Sequence, residues 1–330
     1  MKPFLPPVAL LFLSGSLAEG VDIAFAPEEG TTLKRTFEAK ADYKLTDLEY
    51  YVDGEPVEDA GELPDYSMHF LERIAVSDEL QTVEDGRPTA LKRTFDELLQ
   101  ETTSASGDKE QETKAGSALE GRCVRFTWNA DDEEYEIAAA DEEELDEDLA
   151  AGLLEDMDLR LVLPSGEVEP GDEWELDPEL YLAFMWPGGL LDFRDEGQEE
   201  ADAQAREMSQ QTIERLEGKG HARLEELREE DGQRLAVIHV ELEITTGSSG
   251  VQGQEENDIR VEVEITRTVE GTILWDLEHG HAHSAELETE ASRQTTRTGK
   301  AANPDGDEAE LEVSELLEGT IHYSMTVERE

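Results

Sequence analysis

The chain of 330 residues has one cysteine, Cys123, which excludes a disulfide bond within the chain. The fold therefore has to be held by core packing rather than by covalent cross-links. We expect Cys123 to be a half-buried strand residue; a reactive thiol or a disulfide to another molecule is the alternative.

Basic residues are also scarce. Lys and Arg together number 27 against 84 Asp and Glu, so the formal net charge is −57 at pH 7. Such a surface repels the phosphates of nucleic acids and of anionic lipid headgroups, whose binding depends on Lys and Arg. The composition therefore predicts no nucleic-acid partner and a diffuse binding of cations, in surroundings where salt screens the charge.

Long apolar runs are missing except near the N-terminus. Met1-Lys2 is followed by an apolar stretch at 4–13 and by the small-residue pattern Ser16-Leu17-Ala18. This arrangement is typical of a secretory signal peptide, which we assign to residues 1–18. A membrane-spanning helix needs about 20 apolar residues, and no segment reaches that length. We expect an exported protein, periplasmic or extracellular, without a transmembrane segment.

Catalytic motifs are absent as well. The sequence contains no Gly-x-Ser-x-Gly, no phosphate-binding Gly loop and no His-Glu-x-x-His. An enzyme is therefore not the preferred interpretation. A secreted hydrolase stays an alternative, because two of the many carboxylates would serve as acid and base if a cleft raised the pKa of one.

What the sequence does have is a strict alternation of apolar and charged residues. Between Ile259 and Ile265 every odd residue is apolar and every even residue is charged, and the same period recurs at 236–244 and 321–327. This period is typical of antiparallel strands with one face in water. We predict a mainly β (α+β) fold of two similar antiparallel, curved β-sheet units with one or two covering helices.

Two landmarks suggest an internal repeat. An Asp-Gly pair, the preferred filling of a tight hairpin, occurs at 85–86 and at 231–232. A Glu-Gly pair ahead of a Trp occurs at 120–121 and at 270–271. The nearly constant spacing predicts two copies of one β unit, with chance similarity as the alternative.

We divide the chain accordingly. The signal peptide at 1–18 is followed by an N-terminal β unit at 19–158 that ends in an amphipathic helix. An apolar connecting segment at 159–196 then leads to a C-terminal β unit at 197–330.

Helices are predicted near the middle of the chain. Leu145, Leu149, Leu153 and Met157 recur every four residues and predict a helix over 142–157. A second helix or a linker is predicted over 199–210. Loops are predicted where Gly, Ser and charged residues dominate, at 103–118, 245–258 and 292–308.

An apolar stretch from Tyr181 to Phe193 interrupts the acidic background and contains a Pro-Gly-Gly turn. It is either a core segment or a loop that lines a binding site. We predict an exported, non-catalytic binding or structural protein of the cell envelope, which binds a hydrophobic ligand or an envelope protein. The candidate ligand-binding residues are Trp174, Tyr181, Phe184, Met185, Trp186 and Phe193.

The candidate metal ligands are His281 and His283. Residues two apart on a strand share a face, so this pair would bind zinc or copper with a third ligand from a neighbouring strand. If the strand has no bulge, both histidines lie on its apolar side. The alternative is that Glu278-His279-Gly280 forms a turn which the histidines merely border.

Acidic clusters offer a calcium alternative. Clusters at 131–134, 141–148 and 303–307 concentrate the oxygen ligands that calcium prefers, but none completes a calcium-binding loop. We therefore expect no cofactor, with zinc or calcium as alternatives.

A family resemblance comes from Pro164 and from the pattern Val-x-x-Gly-Asp-x-Trp at 168–174. In a duplicated β chain with a signal peptide, this element resembles a group of uncharacterised secreted bacterial proteins. Their pattern is similar in turn to the LolA-like half-barrel carriers of the bacterial envelope. The resemblance implies curved antiparallel sheets around a hydrophobic cavity plugged by helices. The resemblance covers 164–174 only and identifies no binding residue. The sequence lacks a cysteine after the apolar stretch to which a lipid anchor would be attached.

Overall fold

The fold is given by a computed structural model, which describes residues 20–57, 61–140, 144–195, 203–230, 232–252, 259–302 and 308–330. The signal peptide predicted for residues 1–18 lies outside these residues. Among the described residues, no helix combines the length and the apolar character needed to cross a membrane.

Strands form most of the described chain. They are β1 Thr32–Val52, β2 Glu55–Pro56, β3 Tyr66–Glu84, β4 Arg87–Ser106, β5 Lys109–Ser117, β6 Cys123–Asn129, β7 Glu134–Ala139, β8 Glu173–Leu176, β9 Phe193–Asp195, β10 Glu217–Glu230, β11 Gln233–Gln252, β12 Ile259–Asp276, β13 His281–Ala302 and β14 Glu308–Arg329. The helical segments are α1 Glu147–Ala151, a 3₁₀ turn Arg160–Val162, α2 Leu180–Met185 and α3 Ala203–Glu214. Cys123 is half-buried at the start of β6, as predicted.

The strands belong to one antiparallel sheet. Its main path runs β7-β6-β4-β3-β1-β14-β13-β12-β11-β10-β8. The first and last long strands lie side by side, since Leu33 of β1 is opposite Arg329 of β14 and Val52 is opposite Leu311. The predicted mainly β, antiparallel fold with few helices is confirmed, and its N-terminal and C-terminal strands form a continuous sheet. The predicted domain boundaries stay a prediction.

The sheet curves around one hydrophobic core. Leu98 on β4 and Ile238 on β11 belong to the same cluster of buried apolar residues, although the path between their strands crosses β3, β1, β14, β13 and β12. Neighbouring strands lie about 4.8 Å apart, so a flat sheet would separate these two strands by about 29 Å. The shared core therefore requires curvature, and we call the side that carries it the inner face.

Side chains alternate between the inner face and solvent. Ala39 and Ala41 of β1 are buried while Lys40 between them is exposed. In β12, Val263 is buried and Glu264 is exposed. Along these strands the charged residues therefore lie on the outer face, as the alternation predicts.

The segment between the two halves packs on the inner face, but the helix predicted over 142–157 is wrong in extent. α1 ends at Ala151, and a Cβ atom at Gly152 would lie 2.8 Å from the carbonyl oxygen of Leu190. This close approach continues in a β-bridge between Leu153 and Gly189. Leu153 and Met157 are buried all the same, so their spacing reflects burial rather than helix. The second predicted helix appears as α3.

The three predicted loops are wrong over the described residues. Residues 103–117 lie mostly in β4 and β5, β11 continues to Gln252, and β13 continues to Ala302. Each of these extensions pairs with neighbouring strands, as Thr102 does with Thr113. Ladder hydrogen bonds and cross-strand contacts outweigh the weak β-propensity of Gly, Ser and charged residues. Residues 253–258 and 303–307 lie outside the described residues.

The Asp-Gly and Glu-Gly pairs that suggested an internal repeat differ in how well their two copies correspond in the structure. Asp85 and Gly86 have φ of 50° and 75° in the turn between β3 and β4, as a tight hairpin requires. Glu230 of β10 pairs with Gln233 of β11, and Gly232 between them has φ of 84°, whereas residue 231 lies outside the described residues. The second landmark is not equivalent, because 120–121 lies in a turn and 270–271 lies inside β12. The internal repeat stays a prediction.

Candidate functional site

A tight turn after α2 brings Trp186 onto the inner face. Gly188 and Gly189 have φ of 79° and 97°, a region of positive φ that favours glycine because other residues are strained there. A Cβ atom at Gly189 would lie 2.1 Å from the carbonyl oxygen of Gly152, so the close contact between the two segments depends on glycine. The turn thereby holds Met185 and Trp186 over the sheet.

Beneath this turn lies a cavity of about 280 Å³. This is near the lower end of the range of about 300–1,000 Å³ that is typical of small-molecule sites. Its lining is mostly apolar and aromatic, with a few polar groups. The apolar and aromatic residues are Ala39, Ala41, Tyr43, Met68, Phe70, Met185, Trp186, Ile265, Leu317, Ile321 and Tyr323; the polar ones are Glu72, Gln100, Thr212, Arg267 and Arg293.

Arg267 is oriented by two tyrosines. Its Nη1 donates to the hydroxyl oxygens of Tyr181 and of Tyr323, the latter at 3.0 Å. The two rings meet edge to face, with centroids 6.3 Å apart and an interplanar angle of 86°. Burial raises the pKa of Tyr323, so this phenol stays protonated and neutral. Arg267 is therefore fixed by two phenol groups, one of whose rings also lies 5.3 Å from its Cζ, and not by a carboxylate of the described residues.

Arg293 brings a second positive charge to the cavity. Burial lowers the pKa of this guanidinium group, and the nearby Arg297 and Arg267 lower it further. Neither Arg267 nor Arg293 forms an ion pair with a carboxylate of the described residues. Their buried Nε atoms also lack hydrogen-bond partners within that part of the chain. Two arginines thus line the cavity without a carboxylate partner among the described residues.

Glu72 is the acidic residue of the cavity lining, and it does not neutralise the arginines. Burial raises its pKa to about 7, against a smaller opposite effect of the hydrogen bond from Gln100. A carboxylate that paired closely with a guanidinium group would instead have a lowered pKa. Near neutral pH, Glu72 is therefore protonated in a large fraction of molecules.

The predicted ligand-binding residues divide into two groups. Met185 and Trp186 line the cavity, and Tyr181 and Phe184 are buried beside Tyr323. The other two lie elsewhere: the indole of Trp174 donates to the carbonyl of Val162, and Phe193 opens β9, which pairs with β5. The binding role of all six stays a prediction.

Sequence reasoning missed the polar part of the cavity, although a signal was present. In β12, Arg267 occupies an odd position between Ile265 and Val269, where the alternation calls for an apolar residue. Glu72 likewise interrupts the inward series of β3 between Phe70 and Ile74. A charged residue in phase with the buried face is the sign that could have located this site.

A second group of functional side chains surrounds the turn between β12 and β13. Asp276 is fully buried, and its Oδ1 accepts hydrogen bonds from the backbone N–H groups of Glu278 at 2.8 Å and His279 at 3.0 Å. Its Oδ2 lies 2.7 Å from Nδ1 of His279. Burial alone would raise the pKa of Asp276, but these hydrogen bonds lower it. His281 lies close by, so Asp276, His279 and His281 form one cluster.

The predicted pairing of His281 with His283 does not describe this cluster. The register shifts between Leu274, opposite Ser284, and Trp275, opposite Ala282, so a bulge occurs at His283. A bulge breaks the two-residue alternation on which the predicted pair depended. The predicted turn over 278–280 is present, yet it brings His279 towards His281 instead of leaving it aside.

Among the described residues, the acidic clusters do not bring three ligand atoms together as a metal site requires. Residues 131–134 are exposed around the turn between β6 and β7, where Asn129 bonds to the side chains of Asp132 and Glu136. Residues 141–143 and 303–307 lie outside the described residues. The calcium alternative stays a prediction.

No protein-family model matches the chain, and no curated protein matches it. Solved structures that are similar to it include an outer membrane channel from Pseudomonas putida F1, at 9% identity and a TM-score of 0.22, covering 92% of this chain and 98% of that one. A FadL homologue from Pseudomonas aeruginosa has 8% identity and a TM-score of 0.16, covering 94% of this chain and 98% of that one. TM-scores this low carry no argument, so the site is interpreted from its own residues. The resemblance to LolA-like carriers stays a prediction.

Proposed function

We propose that the protein is an exported, non-catalytic binding protein that holds a small amphipathic ligand with an acidic group in the cavity beneath Trp186. The observation that carries this proposal is the pair of guanidinium groups, Arg267 and Arg293. Both line a mostly apolar cavity, and neither pairs with a carboxylate of the described residues.

The electrostatic argument is that a charge partly withdrawn from water, as on the half-buried Arg267 and Arg293, is unfavourable unless it is paired. The guanidinium groups of Arg267 and Arg293 line the cavity, and a carboxylate or phosphate group is the partner that guanidinium donors bind best. Because burial raises the pKa of Glu72 to about 7, a large fraction of this carboxyl group is neutral near pH 7 and does not compete for these donors. An acidic ligand group would therefore complete the site.

The shape argument concerns the rest of the ligand. Met68, Phe70, Ile265 and Leu317 offer apolar walls, and Trp186 closes the cavity from the connecting segment. Burial of apolar surface stabilises a bound tail by about 25 cal/mol per Å². A short acyl or aromatic carboxylic acid combines both requirements.

Binding of decanoate tests the proposal, with decanol as the uncharged analogue of the same chain length. Isothermal titration of the mature protein should show decanoate binding at least ten times more tightly than decanol. Arg293→Gln should remove most of this preference, because it removes a charge but leaves the apolar walls. Arg297→Gln is the matched control, since Arg297 is paired with Glu315 and does not line the cavity.

Two results with the wild-type protein, and one with the control variant, would contradict the proposal. One is the absence of binding of either probe to the wild-type protein. The other is equal affinity for decanoate and decanol, which would leave the two arginines without a role in recognition. A loss in Arg297→Gln that matched the loss in Arg293→Gln would point to general electrostatics rather than to this cavity.

A further inference from the structure

The turn between β12 and β13 gathers three potential metal ligands far from the ligand cavity. One ligand atom from each of Asp276, His279 and His281 lies within 4.8 Å of the other two. Asp276 and His281 are buried, whereas the side chain of His279 is 28% exposed. The cluster thus lies just below the surface, with access through His279.

A hydrogen bond to the backbone fixes which nitrogen of His281 is free to bind a metal ion. Its Nδ1 lies 2.8 Å from the carbonyl oxygen of Ala282, which can only accept, so Nδ1 carries the proton and Nε2 presents a lone pair. This Nε2 atom is buried and has no hydrogen-bond partner in the described part of the chain. Metal-bound histidines commonly donate their other ring N–H to such an oxygen.

Asp276 is held in place by the backbone of the same turn. With Oδ1 occupied by two backbone N–H groups, Oδ2 faces His279. The turn is clamped in addition by residue 26, because the Ala26 N–H donates to the Gly280 carbonyl at 2.9 Å. A Cβ atom at Gly280, which has φ of 65°, would lie 2.6 Å from the Ala26 nitrogen. Two of the three ligands are therefore positioned before any ion binds.

We propose that Asp276, His279 and His281 bind one divalent transition-metal ion, zinc in the first place, with water at the remaining position. Two imidazoles and a carboxylate suit zinc better than calcium or magnesium, which prefer oxygen ligands. Tetrahedral zinc at about 2.0–2.1 Å from each ligand spaces the ligand atoms about 3.4 Å apart. The 2.7 Å between Oδ2 of Asp276 and Nδ1 of His279 has to widen to this spacing, and the longer separations, up to 4.8 Å, have to shorten; rotation of the partly exposed His279 ring provides the adjustment. About 40 Å of strand separates His281 from Arg293, so this site is independent of the cavity.

Zinc titration of the metal-free mature protein tests the proposal. Because the net charge is −57, the titration is done in excess Mg²⁺, which occupies diffuse cation sites. We expect one zinc ion per chain by calorimetry and a higher melting temperature, because an ion that binds only the folded state stabilises it. His279→Ala should weaken binding at least tenfold. His283→Ala is the matched control and should bind as the wild type does.

The results distinguish the proposed ligands Asp276, His279 and His281 from the His281–His283 pair. Absence of stoichiometric zinc, or equal affinity in the wild type and in His279→Ala, overturns the proposal. Loss of binding in His283→Ala with retention in His279→Ala also overturns it, in favour of the His281–His283 pair. His281→Ala should abolish binding; if that variant fails to fold, the two partly exposed histidines still decide the outcome.

Discussion

Arg93 and Asp78 form a fully buried two-point ion pair, in which Nε of Arg93 is 2.8 Å from Oδ1 and Nη2 is 2.8 Å from Oδ2. Oδ2 of the same carboxylate also accepts a hydrogen bond from Arg35, which pairs with Asp158 as well. Burial alone would lower the pKa of Arg35, but the two carboxylates raise it. Arg93 also donates to the carbonyl groups of Leu154 and Glu155 at 2.8 Å each. The network therefore joins β1, β3 and β4 to the segment that fills the inner face.

Asp78→Asn should destabilise the protein strongly. The substitution keeps the shape of the side chain but leaves two buried guanidinium groups short of a counter-charge, which costs about 3–5 kcal/mol in comparable buried pairs. The free energy of unfolding in urea measures the effect. The control is Glu97→Gln, which removes a partly exposed partner of Arg73 at 3.7 Å and should cost at most about 1 kcal/mol. Similar losses in the two variants would show that the buried network contributes no more than a surface pair.

Glu72→Gln should change the pH dependence of stability. The folded-state pKa of Glu72 is about 7 and the ordinary value is 4.5, because burial disfavours the charged form. Between these two pH values the Glu72 carboxyl group is ionised in the unfolded chain but protonated in the folded chain. The free energy of unfolding of the wild type therefore falls as the pH rises from about 4.5 to 7. A shift of this size corresponds to about 3 kcal/mol.

The variant lacks this contribution, so its stability relative to the wild type should improve from pH 4 to pH 8. Glu155, whose pKa burial also raises to about 7, is present in both proteins and cancels in the comparison. Urea unfolding across this pH range measures the difference. Parallel curves for the two proteins would mean that Glu72 ionises normally in the folded state.

Gly319→Ala should be destabilising although Ala is ordinarily tolerated better than Gly in a strand. A Cβ atom at Gly319 would lie 2.0 Å from the carbonyl oxygen of Asp42 on the paired strand β1. Relief of this clash requires separation of two central strands, at a typical cost of about 1–3 kcal/mol. Gly166→Ala is the control, since no atom lies within 4 Å and its φ is not positive. A melting temperature of Gly319→Ala equal to that of the control would contradict the close packing of β1 on β14.

The strands were predictable from sequence because their alternation is a local property. Val261 and Val263 point inward and Glu262 and Glu264 outward, which is visible without any knowledge of neighbouring strands. The order of the strands was not predictable, since the pairing of β1 with β14 joins the two ends of the chain. Local patterns carry no information about such distant contacts.

The two candidate sites differ in the same way. Trp186 could be chosen from the sequence as a candidate binding residue because it interrupts an acidic background. The role of Arg293 becomes visible only when neighbouring strands place it in the cavity lining. The cluster of Asp276, His279 and His281 was missed for a further reason. A bulge at His283 alters the alternation, and sequence alone does not reveal that one strand has gained a residue relative to its neighbour.

Glu270→Gln should stabilise the protein at low salt and have little effect at high salt. On the outer face Glu270 of β12 lies directly opposite Glu241 of β11 and Glu288 of β13, which places three carboxylates in one row. Like charges opposite one another on paired strands destabilise a sheet by about 0.2–1 kcal/mol, and salt screens exposed charges over about 10 Å at 0.1 M. Glu264→Gln is the matched control, because its cross-strand neighbours, Gly247 and Gln294, are uncharged. Urea midpoints at low and high sodium chloride give the comparison. A gain for Glu270→Gln that persisted unchanged at high salt would show that side-chain packing, and not repulsion along the carboxylate row, limits the stability of the outer face.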